Sequence, residues 1–319
     1  MYPARVEREH EIRLTCSAAP LYDGGVLADD AGLGAAAAER ARDLAFCCPA
    51  CRSPLIVEPE LWRCGACGSE YGAIGGVPLL IADADRAAID LRDDPRPLPG
   101  MDCAALGIAP INEALARGDR ILELGAGRET TTAPNVVRTD AFVFAAEHLD
   151  AVADAHALPF ADASFDFVFS LAVFEHLHSP WLAAAEITRV LRPGGRVFTL
   201  CAFLQQLHGY PDHYFNITES GLRRLFSDGF DIEFCGPSRR TPHRESSVPL
   251  YRMREMAEAY RREVPAPLRT RWRRRRLERA LVIATHQYQQ LGDRMLEAPG
   301  AYAAWRHIAP SVELLARRC

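Results

Sequence analysis

Arg120-Ile-Leu-Glu-Leu-Gly-Ala-Gly127 is the stretch that decides the fold. A short apolar run of strand length ends in Gly-x-Gly, where missing side chains let the backbone approach a nucleoside ligand closely. Four more β-rich segments follow, at residues 135–144, 151–155, 165–173 and 194–200. Between the last two, Trp181-Leu-Ala-Ala-Ala-Glu-Ile-Thr-Arg-Val-Leu191 sets Leu182, Ile187, Val190 and Leu191 at helical spacing, and Arg192-Pro-Gly-Gly stops the helix. Strands alternating with a crossover helix predict an α/β fold with a mainly parallel sheet covered on both faces. Ligands of such sheets sit at the carboxyl ends of the strands.

Those ends carry the chemistry. Glu123, Gly125, Ala126 and Gly127 close the first strand, Asp140 the second, Asp154, Ala155 and His156 the third, and Ser170 and His176 the fourth. An acid after the second strand can accept both hydroxyls of a ribose, and an Asp beside a backbone N–H can address the amino and ring nitrogens of adenine. Further on come Ala157-Leu-Pro-Phe-Ala-Asp-Ala-Ser-Phe-Asp-Phe-Val168, Glu175-His-Leu177 and Glu186-Ile-Thr-Arg-Val-Leu-Arg-Pro-Gly-Gly195. With these, residues 120–235 resemble a class I S-adenosylmethionine-dependent methyltransferase of the compact methyltransferase-11-like subgroup, with its Rossmann-like sheet. The resemblance implies Asp140 on the ribose, Asp154 and Ala155 on the adenine, and Gly125 and Gly127 along the methionine. Glu123, Ala126, His156 and Ser170 complete the candidate cofactor-binding set.

The chain departs from that pattern in one place. Only residues 128–134 join Gly127 to Asn135, so the first crossover helix is expected to be absent or reduced to a turn. The methionine carboxylate then lacks a helix N-terminus, and Arg128 and Thr130 to Thr132 are the groups at hand to replace it. The compact form resembles methyltransferases common among bacterial saccharide and secondary-metabolite enzymes.

Upstream, Cys48-Pro-Ala-Cys51 and Cys64-Gly-Ala-Cys67 are two Cys-x-x-Cys turns separated by twelve residues that read as a hairpin. Two such turns direct four thiolates at one tetrahedral ion, for which zinc is the natural occupant, and four protein ligands leave no open position for catalysis. Cys47 is an alternative ligand, but the Cys-Pro-x-Cys register favours Cys48. Together with Tyr71-Gly-Ala-Ile-Gly-Gly-Val-Pro-Leu-Leu-Ile81, residues 48–81 resemble the small zinc-ribbon family that activates methyltransferases, here fused in cis. That implies a scaffolding or substrate-presenting role for the metal site.

All 37 basic residues are Arg, which excludes a Schiff-base lysine and a P-loop lysine. Nine Arg lie in residues 261–280 against two Glu, in a chain of net charge −5. That cluster is an RNA or phosphate candidate weighed against a solvated helix face. No apolar run is long enough to cross a membrane, and a cytoplasmic location with no membrane partner is expected.

The acceptor end is expected in Phe203-Leu-Gln-Gln-Leu-His-Gly-Tyr-Pro-Asp-His-Tyr-Phe215, which follows the fifth strand. His208 and His213 are the candidate general bases for a hydroxyl acceptor, with His176 third, and Tyr210 and Tyr214 are candidate substrate contacts. The expected organisation is an N-terminal segment (1–46), a zinc ribbon (47–82), a linker and leading helix (83–118), the catalytic domain (119–240) and a helical C-terminal extension (241–319). The expected function is S-adenosylmethionine-dependent O-methylation of a small molecule such as a saccharide or secondary metabolite. RNA methylation and a non-catalytic partner subunit stand as alternatives.

Overall fold

The computed structural model describes residues 44–58, 61–74, 76–82, 107–127, 133, 135–142, 149–205, 207, 212–238, 279–280, 283, 309 and 311–319. The chain opens with five short strands, β1 (Leu55–Glu58), β2 (Leu61–Cys64), β3 (Glu70–Tyr71), β4 (Ala73–Ile74) and β5 (Val77–Leu80). Helix α1 (Ala109–Arg117) leads into β6 (Ile121–Leu124), β7 (Val136–Asp140), β8 (Ala151–Ala153) and β9 (Phe165–Leu171). A 3-10 turn (Phe174–His176), α2 (Pro180–Val190), β10 (Leu191–Ala202), α3 (Glu219–Leu225), β11 (Phe230–Pro237) and β12 (Ser311–Arg318) complete it.

Strands β1, β2 and β3 form a small antiparallel sheet, and the other nine form one sheet in the order β11-β12-β10-β9-β6-β7-β8-β5-β4. The run β10-β9-β6-β7-β8-β5 is parallel throughout, whereas β4 pairs antiparallel with β5 and β12 runs antiparallel between β10 and β11. Both faces of the centre are covered, so β6 and β7 are buried along their whole length, as a parallel sheet requires. Helix α1 lays Ile111 and Ala114 on one face, against Ile121, Val136, Phe167, Phe169 and Phe198. Its end is set by Gly118, whose φ of 72° returns the chain toward β6. On the other face α2 and α3 place Ala183, Ala184, Ile187, Val190 and Leu222 in the larger core. Thr218 caps α3 by accepting from the Gly221 amide.

Two features differ from the sequence reading. The helical extension expected over 241–319 does not reach the end of the chain, because Ser311–Arg318 is the strand β12. Val312, Leu315 and Ala316 fit helical spacing and Val312, Leu314 and Ala316 fit strand spacing; pairing with β10 and β11 decides for the strand. In addition, the segment expected as a ribbon is continuous with the large sheet. Leu79 pairs with Val152 and Leu80 with Ala153, and Trp62 and Tyr71 share one core with Leu122 and Phe165. The Ala-rich stretch 34–43, the linker 83–106 and the Arg cluster 269–278 lie outside the described residues. Among the described residues no helix is long and apolar enough to cross a membrane.

Candidate functional site

Because β6 to β9 are parallel, their carboxyl ends share one edge, where Gly125, Gly127, Asp140, Asp154 and His176 are found. The turn after β6 is tied to the end of β7. The Gly125 and Ala126 amides both donate to the Thr139 carbonyl (2.9 and 3.0 Å), and the Gly127 amide donates to Oδ2 of Asp140 (2.8 Å). Gly125 and Gly127 have φ of 68° and 61°, the left-handed region that favours glycine. A Cβ on Gly125 would collide with Cγ2 of Val173, two residues past the end of β9. The glycine loop, the second-strand acid and the fourth-strand turn therefore fit together with no space to spare.

Asp140 is nearly buried, and its Oδ1 accepts from the Phe142 amide at 2.8 Å. Burial raises its pKa to about 6, only partly offset by the Phe142 and Gly127 amides. Glu123 is buried beside it on β6. Residues 128–132 and 134, and with them Arg128 and Thr130 to Thr132, lie outside the described residues.

After β8, Asp154 accepts at Oδ1 from both the amide (2.9 Å) and the ring Nδ1 (2.5 Å) of His156. The loop is then clamped by α2. Glu186 accepts from the Leu158 amide at 2.9 Å, and Arg189 donates to the carbonyls of Leu158 and Phe160 at 2.9 and 2.6 Å. Ser170 was expected at the cofactor, and its buried hydroxyl pairs with Thr199 at 2.9 Å.

The acceptor-side loop is pinned to the 3-10 turn. The Glu175 carbonyl accepts from the amides of Tyr214 (2.8 Å) and Phe215 (3.2 Å), and Nδ1 of His176 meets the Asp212 carbonyl at 2.7 Å. Nε2 of His213 meets the Phe215 carbonyl at 3.1 Å. A carbonyl can only accept, so His176 carries its proton on Nδ1 and His213 on Nε2. Their rings lie 5.7 Å apart, edge to face. Tyr214 is half exposed. His208 and Tyr210 lie outside the described residues.

Three further residues stand at this edge; Val173 and His178 carried no mark in the sequence, whereas Glu175 belongs to the Glu175-His-Leu177 motif. Val173 closes over Gly125, His178 stacks on His156 with centroids 4.1 Å apart, and Glu175 is fully buried. Burial raises the Glu175 pKa to about 7, with the Ala202 amide the only donor of another residue that offsets it, donating to Oε1 at 3.3 Å.

The four cysteines gather as expected. The Sγ atoms of Cys48, Cys51, Cys64 and Cys67 all lie within 4.8 Å of one another, and among the described residues this is the one such cluster. Cys51 and Cys64 are 3.4 Å apart and Cys48 and Cys67 3.6 Å; a tetrahedral ion with thiolates at 2.3 Å sets sulfurs about 3.8 Å apart. Two matching turns produce this. Arg52 N–H donates to the Cys48 carbonyl and Gly68 N–H to the Cys64 carbonyl, at φ of 63° and 77°. The Cys48 and Cys64 amides donate in turn to Ser53 and Ser69. Cys47 is outside the cluster, and its amide instead donates to the Pro159 carbonyl, in the loop after β8. Phe46 packs on Phe160 there, and Arg52 donates to Glu186 at 3.0 Å.

Residues 126–199 match the family model described as a methyltransferase domain. The chain is 36% identical over 93 residues to 27-O-demethylrifamycin SV methyltransferase of Amycolatopsis mediterranei (strain S699), a match covering 29% of this chain and 32% of that protein. It is 36% identical over 114 residues to demethylmenaquinone methyltransferase of Mycobacterium sp. (strain KMS), covering 32% and 46%. The chain thus spans less than half the length of either curated relative. Among solved structures it resembles Haemonchus contortus phosphoethanolamine N-methyltransferase 2, at 17% identity and a TM-score of 0.36, over 66% of this chain and 52% of that one. The chain contains a methyltransferase domain.

Proposed function

We propose that this protein is an S-adenosylmethionine-dependent methyltransferase that methylates an oxygen of a small molecule, such as a saccharide or secondary metabolite, and that its four cysteines hold one structural zinc. The observation that carries the reading is the joining of Gly127 to Asp140 inside a segment that matches a methyltransferase domain. In this reading Asp140 receives the ribose hydroxyls on lone pairs left by the Gly127 and Phe142 amides. Asp154 and the Ala155 amide address the adenine, and Gly125, Ala126 and Gly127, with Glu123 beneath, line the methionine end.

Bound S-adenosylmethionine supplies an electrophilic methyl group on a sulfonium. The chain's task is to hold an acceptor in line with it and keep water out. The pinned loop 212–215 is where the acceptor would be oriented, and the half-exposed Tyr214 is its contact. A hydroxyl acceptor loses a proton as the bond forms, and His213 and His176 are the described histidines beside this loop that could take it; a carboxylate acceptor needs neither. Transfer to oxygen is supported by the two histidines beside the acceptor loop and by the name of the Amycolatopsis relative, an O-demethylrifamycin methyltransferase. Four thiols and no open position support a structural ion.

Calorimetric titration of zinc-loaded protein with S-adenosylhomocysteine tests the reading. One-to-one binding that weakens about tenfold or more in Asp140→Ala supports it. An absence of binding overturns it in favour of a non-catalytic partner subunit.

A further inference from the structure

His156 was expected to touch the cofactor, yet its polar atoms are committed elsewhere. Its Nε2 accepts from the amide of Ser179, the N-cap residue of α2, at 3.3 Å. An accepting Nε2 carries no proton, so the proton lies on Nδ1, which donates to Oδ1 of Asp154. The His156 amide occupies the same oxygen. Among the described residues no donor meets Oδ2. One face of the ring is stacked on His178, 13° from parallel, and His178 is itself held by Ser179 Oγ at 2.9 Å. Burial pushes the Asp154 carboxyl up, but the two His156 hydrogen bonds outweigh it and hold the group below its ordinary value.

We infer that His156 is a positioning residue for adenine recognition: tautomer-locked by Ser179, it saturates one oxygen of Asp154 and leaves the other as a fixed acceptor for the 6-amino group. This rests on the cofactor reading above. A carboxylate free to rotate presents either oxygen, and water satisfies whichever one the ligand does not. A carboxylate with one oxygen doubly occupied presents a single acceptor in one direction. Such a site accepts an amino group and repels a 6-oxo group, because oxygen then faces oxygen.

The experiment measures binding of S-adenosylhomocysteine and S-inosylhomocysteine to the full zinc-loaded chain and to three variants. An Asn amide reaches where Nδ1 was and keeps the donor to Asp154, a Gln amide reaches toward Ser179 and loses that donor, and Leu loses both. We expect His156→Leu and His156→Gln to lower the adenosyl-over-inosyl preference by about tenfold or more, and His156→Asn to restore it to within about threefold. A purely structural tie to α2 gives the opposite order, with Gln restoring and Asn failing, and overturns the inference. Equal preference in all four proteins overturns it too. If the parent chain binds neither ligand, the cofactor reading itself has failed, which is a separate outcome. Thermal unfolding of each variant shows whether any loss is one of folding.

Discussion

The amide of Gly127 donates to the carboxylate of Asp140 across 2.8 Å, so the turn after β6 and the end of β7 hold each other in place. The same carboxylate titrates near 6 because it is buried, against 3.8 for an exposed group. Binding of a ribose diol to the ionised form should therefore weaken as pH falls through about 6, by up to about tenfold per pH unit below it. Titrations with S-adenosylhomocysteine between pH 5 and 8 check this. The slope should vanish in Asp140→Asn; a slope that persists assigns it to another group.

Gly125 is constrained twice, by its positive φ and by Val173. Gly125→Ala should cost about 2 kcal/mol or more in stability and abolish cofactor binding. Adding Val173→Ala removes the collision and leaves the backbone strain. The double variant should regain part of the stability, read from urea unfolding midpoints; no recovery at all would show that Val173 is not the obstacle.

Glu175 gives stability a definite pH dependence. Its carboxyl titrates near 7 in the fold and near 4.5 when exposed, so between these values the folded chain keeps a proton that the unfolded chain has lost. The contribution is fully present below about pH 4.5 and is lost as pH rises through 7. Glu175→Gln is neutral throughout and should flatten the dependence of Tm on pH between 5 and 7, with a gain of several degrees at pH 8. An unchanged profile in the variant refutes the assignment.

The ribbon separates two kinds of contribution. Removing the metal with a chelator, or Cys64→Ser, should lower Tm by about 10 °C or more, because Trp62, Tyr71 and Phe46 share the core of the large sheet. The same treatment should weaken S-adenosylhomocysteine binding, since Cys47, Phe46 and Arg52 brace the loop after β8. By contrast, the Arg52 side chain is mostly exposed, and its pair with Glu186 is worth about 1 kcal/mol or less. Arg52→Gly loses that pair but suits the φ of 63°, so it should be near neutral while Arg52→Ala destabilises. Chemical unfolding of the two variants side by side decides it.

A stop codon after residue 310 removes β12, which pairs along its length with both β10 and β11. That should leave β11 detached and yield insoluble protein, whereas a disposable terminal extension would leave cofactor binding intact. Fractionation of the expressed truncation is the check.

The central strands were legible because each is a short apolar run closed by Gly, Asp or a turn, and local chemistry alone marks such runs. The cysteine site was legible because its geometry is made by two turns of four residues. The strand at 311–318 was not, since Val-Glu-Leu-Leu-Ala offers apolar spacing to a helix as readily as to a strand, and only its neighbours choose. Nor was the recruitment of Val77–Leu80 beside β8, a pairing across more than 70 residues that leaves no local mark. At the site, Asp140, Asp154 and the glycines could be found from position. The lock on Asp154 could not, because it depends on Ser179, which only folding brings to His156.

Strand β5 is made before β8, its partner in the sheet, has left the ribosome. Synthesis proceeds from the N-terminus, so β5 and the cysteine turns are already outside when the central strands emerge. The cysteine region thus supplies the first ordered border of the sheet, and metal capture can come early enough to influence how the rest is assembled. A chain starved of the ion during translation would meet its difficulty at birth, and adding the ion afterwards would have to rescue a sheet that had grown without its edge.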